Sequence, residues 1–129
     1  MPVTPDYWLV LRETLESVRP ITSRKMFGGI GLYFGGPVFG IVDNDKVYFK
    51  VDEETVQPYD EADSDMWMYD PAVGPIAKYR EVPAGVLADP VLLGEFIDAS
   101  AAAAVRMGAG KLGAGKLGSG KGARKKPRM

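Results

Sequence analysis

The sequence predicts an α+β domain of two layers, an antiparallel sheet with helices packed on one face, followed by a disordered basic tail. Three observations predict it. Two proline-started amphipathic segments, near Pro5 and Pro90, bracket the chain's apolar body. Between them lie short β-rich runs separated by glycine and asparagine turns. From Gly108 the composition changes to repeated glycine and lysine, which cannot bury enough apolar surface to order itself. The expected units are therefore a domain over 1–107 and a tail over 108–129.

Thr4-Pro5-Asp6 supplies a hydroxyl N-cap, a proline at the first helical position and an acid in the first turn. Trp8, Leu11, Leu15 and Val18 then form one helical stripe, and Pro20 disfavours helical geometry at Arg19. A first helix over Pro5–Arg19 follows. Strand-like runs occupy Thr22–Phe27, Ile30–Phe34, Val38–Asp43 and Lys46–Val51, the first of them the weakest. Asn44-Asp45 can supply the positive φ angles of a two-residue hairpin turn. Such a turn sets Val42 opposite Val47 and Ile41 opposite Tyr48. One face of the hairpin then carries Phe39, Ile41 and Tyr48, the other Val42, Val47, Phe49 and Val51. Helices on one side cannot cover both, so the second face must meet another sheet, a long loop or a second subunit. A homodimer is one expected answer.

The acidic stretch 53–65 reads as a short helix after Asp52 broken by Pro58, and Met66–Tyr69 and Ile76–Val82 as two further strands. Asp89-Pro90 repeats the cap-plus-proline start, and Leu92, Leu93, Phe96 and Ile97 give the last helix its apolar face as far as Gly108. The order is α-β-β-β-β-α-β-β-α.

The chain has 129 residues without cysteine or histidine. That excludes disulfides, thiolate nucleophiles, cysteine- or imidazole-based metal sites and a Ser-His-Asp triad. A catalyst would have to use carboxylates, Lys, Arg, Tyr, Ser or Thr, and the first expectation is a non-enzymatic protein with no cofactor and no metal site. No basic, apolar leader and no apolar run of membrane-spanning length is present, so a cytoplasmic chain without membrane contact is expected. The net charge of −1 hides a split: −9 over 1–105 and +8 over 106–129. An acidic body with a basic tail points to an interaction tail.

Formal nucleotide motifs in the tail fail. Gly108-Ala-Gly-Lys-Leu-Gly113 fits a dinucleotide fingerprint and Gly110 to Lys116 approaches a P-loop, but Leu117 stands where Ser or Thr must bind Mg²⁺. Neither has the flanking strand and helix that aim amides at phosphate. Asp60, Glu61, Asp63 and Asp65 lack the glycine and glutamate of a calcium loop and read as a solvated acidic loop. Tyr48, Lys50 and Asp52 alternate on one strand and so share a face. They carry the alternative function, a small-molecule-binding or enzymatic domain using Lys50 and Tyr48 with nearby carboxylates. Met66, Trp67, Met68 and Tyr69 read as core or interface. In the tail, Lys111, Lys116, Lys121, Arg124, Lys125, Lys126 and Arg128 can neutralise phosphates without reading sequence. No aromatic residue interleaves with them, so base stacking is not offered.

Met26-Phe27-Gly28-Gly29 followed by Gly31-Leu-Tyr33 resembles the N-terminal domain of the TfoX family, known as regulators of competence genes. The resemblance continues through Phe39–Asp43, Val47-Tyr-Phe-Lys50-Val-Asp52, Tyr79-Arg-Glu-Val-Pro83 and Leu87-Ala-Asp89-Pro90, and spans roughly 7–105. Its motif residues here are Met26, Phe27, Gly28, Gly29, Lys50, Asp52, Tyr79 and Pro83. The resemblance implies a small α+β domain with no catalytic residue or cofactor to carry over, acting in competence-type gene regulation through a protein partner. Family members with both halves carry a helical C-terminal domain, and here the basic tail follows instead. The expected protein is thus a stand-alone TfoX-like N-terminal domain whose tail touches nucleic acid weakly and non-specifically.

Overall fold

The structure, a computed structural model, describes residues 2–114, with side chains through residue 108. Its elements are α1 (Pro5–Glu16), β1 (Thr22–Met26), β2 (Gly29–Tyr33), β3 (Val38–Asp43), β4 (Lys46–Lys50), α2 (Gln57–Glu61), β5 (Met66–Trp67), β6 (Ile76–Glu81), α3 (Ala84–Leu87) and α4 (Pro90–Ala114). All strand pairs are antiparallel, in the order β1-β2-β3-β4-β6-β5. This is the expected α+β architecture.

The stripe of α1 reaches the core as predicted, with Leu11 and Leu15 buried and Trp8 and Val18 packed beside them. The helix itself stops at Glu16, and the Ser17 hydroxyl donates to the Thr14 carbonyl at 2.7 Å. Thr4 has the extended backbone of an N-cap, but its hydroxyl donates to Asp45 (2.9 Å) rather than accepting from the first turn. That bond ties the start of α1 to the β3–β4 turn. At α4 the expected cap forms, the Asp89 carboxylate accepting from the amides of Val91 (3.0 Å) and Leu92 (3.2 Å). Helical backbone continues past Gly108 to Ala114, beyond the point where the glycines were expected to end it. Pro58 does not break a helix begun at Asp52. It lies in the first turn of α2, where a missing amide hydrogen costs nothing, and a turn closed by Asp52 and Thr55 precedes it. The short α3, started by the extended Pro83, was not foreseen.

The β3–β4 hairpin has the predicted register, Asp43 against Lys46, Val42 against Val47 and Ile41 against Tyr48. Asn44 and Asp45 both hold positive φ, 54° and 55°, as a type I′ turn requires. One residue departs from the alternation. The β2–β3 register slips between Leu32 and Tyr33, whose partners are Gly40 and Val38, leaving Phe39 as the extra residue of a bulge. Phe39 therefore turns to the helix side. There it meets Phe49 edge-to-face at 5.3 Å instead of joining Ile41 and Tyr48. The next residue, Gly40, is closely packed: a Cβ there would lie 3.0 Å from the Tyr48 carbonyl oxygen and 3.1–3.2 Å from the Leu32 and Phe49 side chains.

The helix-side core gathers Leu11, Leu15, Leu32, Phe39, Phe49, Leu93 and Ile97. Each such large side chain is worth about 1.5–3 kcal/mol in burial. The opposite face carries a second cluster of Ile41, Tyr48, Trp67 and Tyr79, flanked by Met26, Val38 and Ile76. On that face Ile41 and Tyr48 pack with Trp67 and Tyr79 of the same sheet.

Candidate functional site

In the strand order β5 lies three strands from β3, about 14 Å in a flat sheet. Yet the Trp67 indole N–H donates to the buried Asp43 carboxylate at 3.0 Å. Phe27, in the β1–β2 turn, also touches Trp67 and Tyr69, at ring-centre distances of 6.4 and 5.5 Å. The sheet must curl towards its helix-free face, bringing its two ends together around an aromatic cluster.

The first family motif builds one side of that cluster. Met26 pairs with Gly29, so Phe27 and Gly28 are the two turn residues, with φ of 53° and 77°. A bulky side chain rarely holds such a φ, and strain of this kind costs about 1–3 kcal/mol. Gly29 is required by packing, since a Cβ there would collide with the Val42 carbonyl oxygen of β3. The turn is tight against its neighbour, and it presents Phe27 with 58% of its surface exposed.

The remaining motif residues divide. Tyr79 meets Trp67 edge-to-face at 5.5 Å, and the Lys50 ammonium lies 5.4 Å from the Tyr79 ring centre. Asp52 does not join Lys50 and Tyr48. It pairs with Arg106 of α4 at 2.7 Å and accepts from the Glu54 amide at 3.0 Å, because the strand has ended at Lys50 and the chain turns under the helix. The Arg106 bond holds the Asp52 carboxyl below its ordinary pKa. Pro83 starts α3. The trio predicted to share a face is thus reduced to Tyr48 and Lys50. Burial, reinforced by Glu81, Asp43 and Asp65, pushes the Tyr48 phenol up to about 12. That is the wrong direction for a base at neutral pH.

Alongside the cluster runs a groove of about 810 Å³, lined among others by Tyr48, Asp63, Asp65, Met66, Met68 and Tyr69. Its far wall is fixed by Arg80, a buried side chain whose guanidinium donates to Asp60 at 2.7 Å and to the Ser64 carbonyl at 2.8 and 3.1 Å. Of the Met66–Tyr69 run, Trp67 is core, while Met66, Met68 and Tyr69 stand 42–52% exposed. The run was expected to be core or interface; only Trp67 is core, and the other three are exposed. The Arg80 staple and the Trp67–Asp43 bond had no local signal, since each joins positions far apart in sequence.

Among the described residues no three carboxylates are placed to hold a metal ion, and no helix is long and apolar enough to cross a membrane. Lys111 lies in the last turns of α4, with its side chain outside the described residues; Lys116, Lys121, Arg124, Lys125, Lys126 and Arg128 also fall outside them. No curated protein matches the chain. The family model of the TfoX N-terminal domain matches residues 13–104, a span from within α1 to within α4 that includes every motif residue of the aromatic cluster, and the chain belongs to that family.

Proposed function

We propose that this chain is a non-enzymatic interaction domain of the cytoplasm that acts in competence-type gene regulation through protein contacts, its basic tail touching nucleic acid weakly. The observation that carries the proposal is the ridge of Phe27, Met68 and Tyr69. Large apolar side chains stand about half or more exposed to water there, one of them on a strained backbone. Exposed aromatic and methionine side chains on a rigid support are the usual anchors of a protein interface.

The test is Phe27→Gly. Glycine holds φ of 53° without strain, so relief offsets the lost ring contacts and stability should stay within about 1 kcal/mol of the parent. Overproduced parent chain should change transcription of competence genes, and the variant should not. A variant as active as the parent would remove the ridge from the mechanism.

A further inference from the structure

The groove beside the ridge is both acidic and aromatic. Asp52, Asp60 and Asp98 are each tied to an arginine of the body, Arg106, Arg80 and Arg19, whereas Asp63 and Asp65 stand exposed along the groove. Asp65 bears on Tyr48 together with Glu81 and Asp43, so the negative field extends to the groove floor. Tyr69, Met66 and Met68 supply a ring face and two adaptable thioethers. Carboxylates next to an exposed ring suit a side chain that is cationic at its tip and apolar along its stem. Arginine and lysine are such side chains, by ion pairing and by stacking over the ring.

The chain carries a segment of that chemistry. Residues 115–129 hold Lys116, Lys121, Arg124, Lys125, Lys126 and Arg128 and no acid. We infer that this cationic C-terminal segment docks in the acidic aromatic groove of its own domain, covering the surface between Tyr69 and Asp63. Reach is sufficient. Near its end α4 passes the start of β3, with Gly108 beside Pro37 and Gly36 beside Val105. The groove opens at the other end of β3, about 20 Å from Gly108, and the six helical residues from there to Ala114 add at most about 9 Å. The fifteen residues after Ala114 span up to about 50 Å when extended, enough to round the sheet. The inference concerns the groove and the segment alone. It depends on the interaction-domain proposal only for its consequence, that a partner must displace the segment to gain the surface.

The absence of cysteine makes the test clean. Ala123→Cys in the full chain gives one attachment point for a nitroxide spin label, between Lys121 and Arg124. Methyl resonances of Met66 and Met68 report the groove. Amides around Glu13 and Glu16, exposed acids on α1, report attraction to any acidic surface. At low salt the methionine methyls should broaden severalfold more than the α1 amides, and the difference should fade as salt is raised. Asp63→Asn combined with Asp65→Asn should abolish it. Asp63 holds φ of 56°, which asparagine tolerates as readily, and unshifted amides elsewhere will show that the variant is folded. Equal broadening at both places, persistence in the double variant, or broadening seen only between a labelled and an unlabelled chain would each overturn the inference. None of these results bears on the Phe27→Gly test, so the two proposals fail separately.

Discussion

A methyl group at position 29 would strike the Val42 carbonyl, and backbone in the middle of a sheet cannot move aside as a side chain can. Gly29→Ala should therefore cost about 1–3 kcal/mol, read as a lower urea midpoint with an unchanged slope. The neighbouring Gly28 serves conformation alone, with open space around its α-carbon and φ of 77°. On the other side of the cluster, Trp67→Phe keeps most of the ring packing and removes one donor from the buried Asp43 carboxylate. A hydrogen bond to a charged group is worth about 1.5–3 kcal/mol. Chemical denaturation of this variant should show a loss of that size, while Trp67→Tyr, with no donor at the indole position, should not restore it. Phe27 and Gly28 were marked by the family motif, although the strand read through Phe27 ends at Met26 and leaves Phe27 in the turn; the role of Trp67 was not legible, because Asp43 lies twenty-four residues away.

Among elements, the register and turn of the β3–β4 hairpin were legible, since a two-residue turn fixes register locally. The bulge in β3 was not. It arises where β2 and β3 must pair while Phe39 fills the space under α4, and alternation read along one strand has no term for its neighbour. The Tyr48–Lys50–Asp52 face failed for a related reason, as alternation holds only while the strand lasts. Asp52 instead fastens the β4–α2 turn to α4 through Arg106. Its folded carboxyl is more acidic than an unfolded aspartate, so the stabilisation is fully present above about pH 4 and lost as pH falls through the lowered folded value. Arg106→Ala should flatten this part of the acid unfolding curve and leave stability near pH 7 only slightly lower, the arginine being partly exposed. Thermal melts of parent and variant between pH 2 and pH 7, a range set by carboxylate titration, would check it.

For the whole molecule the decisive quantity is the charge division, −9 before Arg106 and +8 from there on. Truncation after Ala114 should leave the domain folded while abolishing retention of duplex DNA. With the full chain, log affinity should fall with log salt by about 0.9 per phosphate contact and be indifferent to base sequence. Binding that resists salt, or that survives truncation, would exclude the tail as the contact. Composition, charge division, helix stripes and the family motifs are properties of local or summed residues, and the sequence by itself determined them, along with the α+β class and the hairpin register. Which side chains meet across the sheet was decided only in three dimensions. The curl that joins Phe27 to Tyr69 and Trp67 to Asp43 depends on how every strand twists against the next, and so the exposed ridge and its acidic groove exist only once the whole sheet has formed and curled.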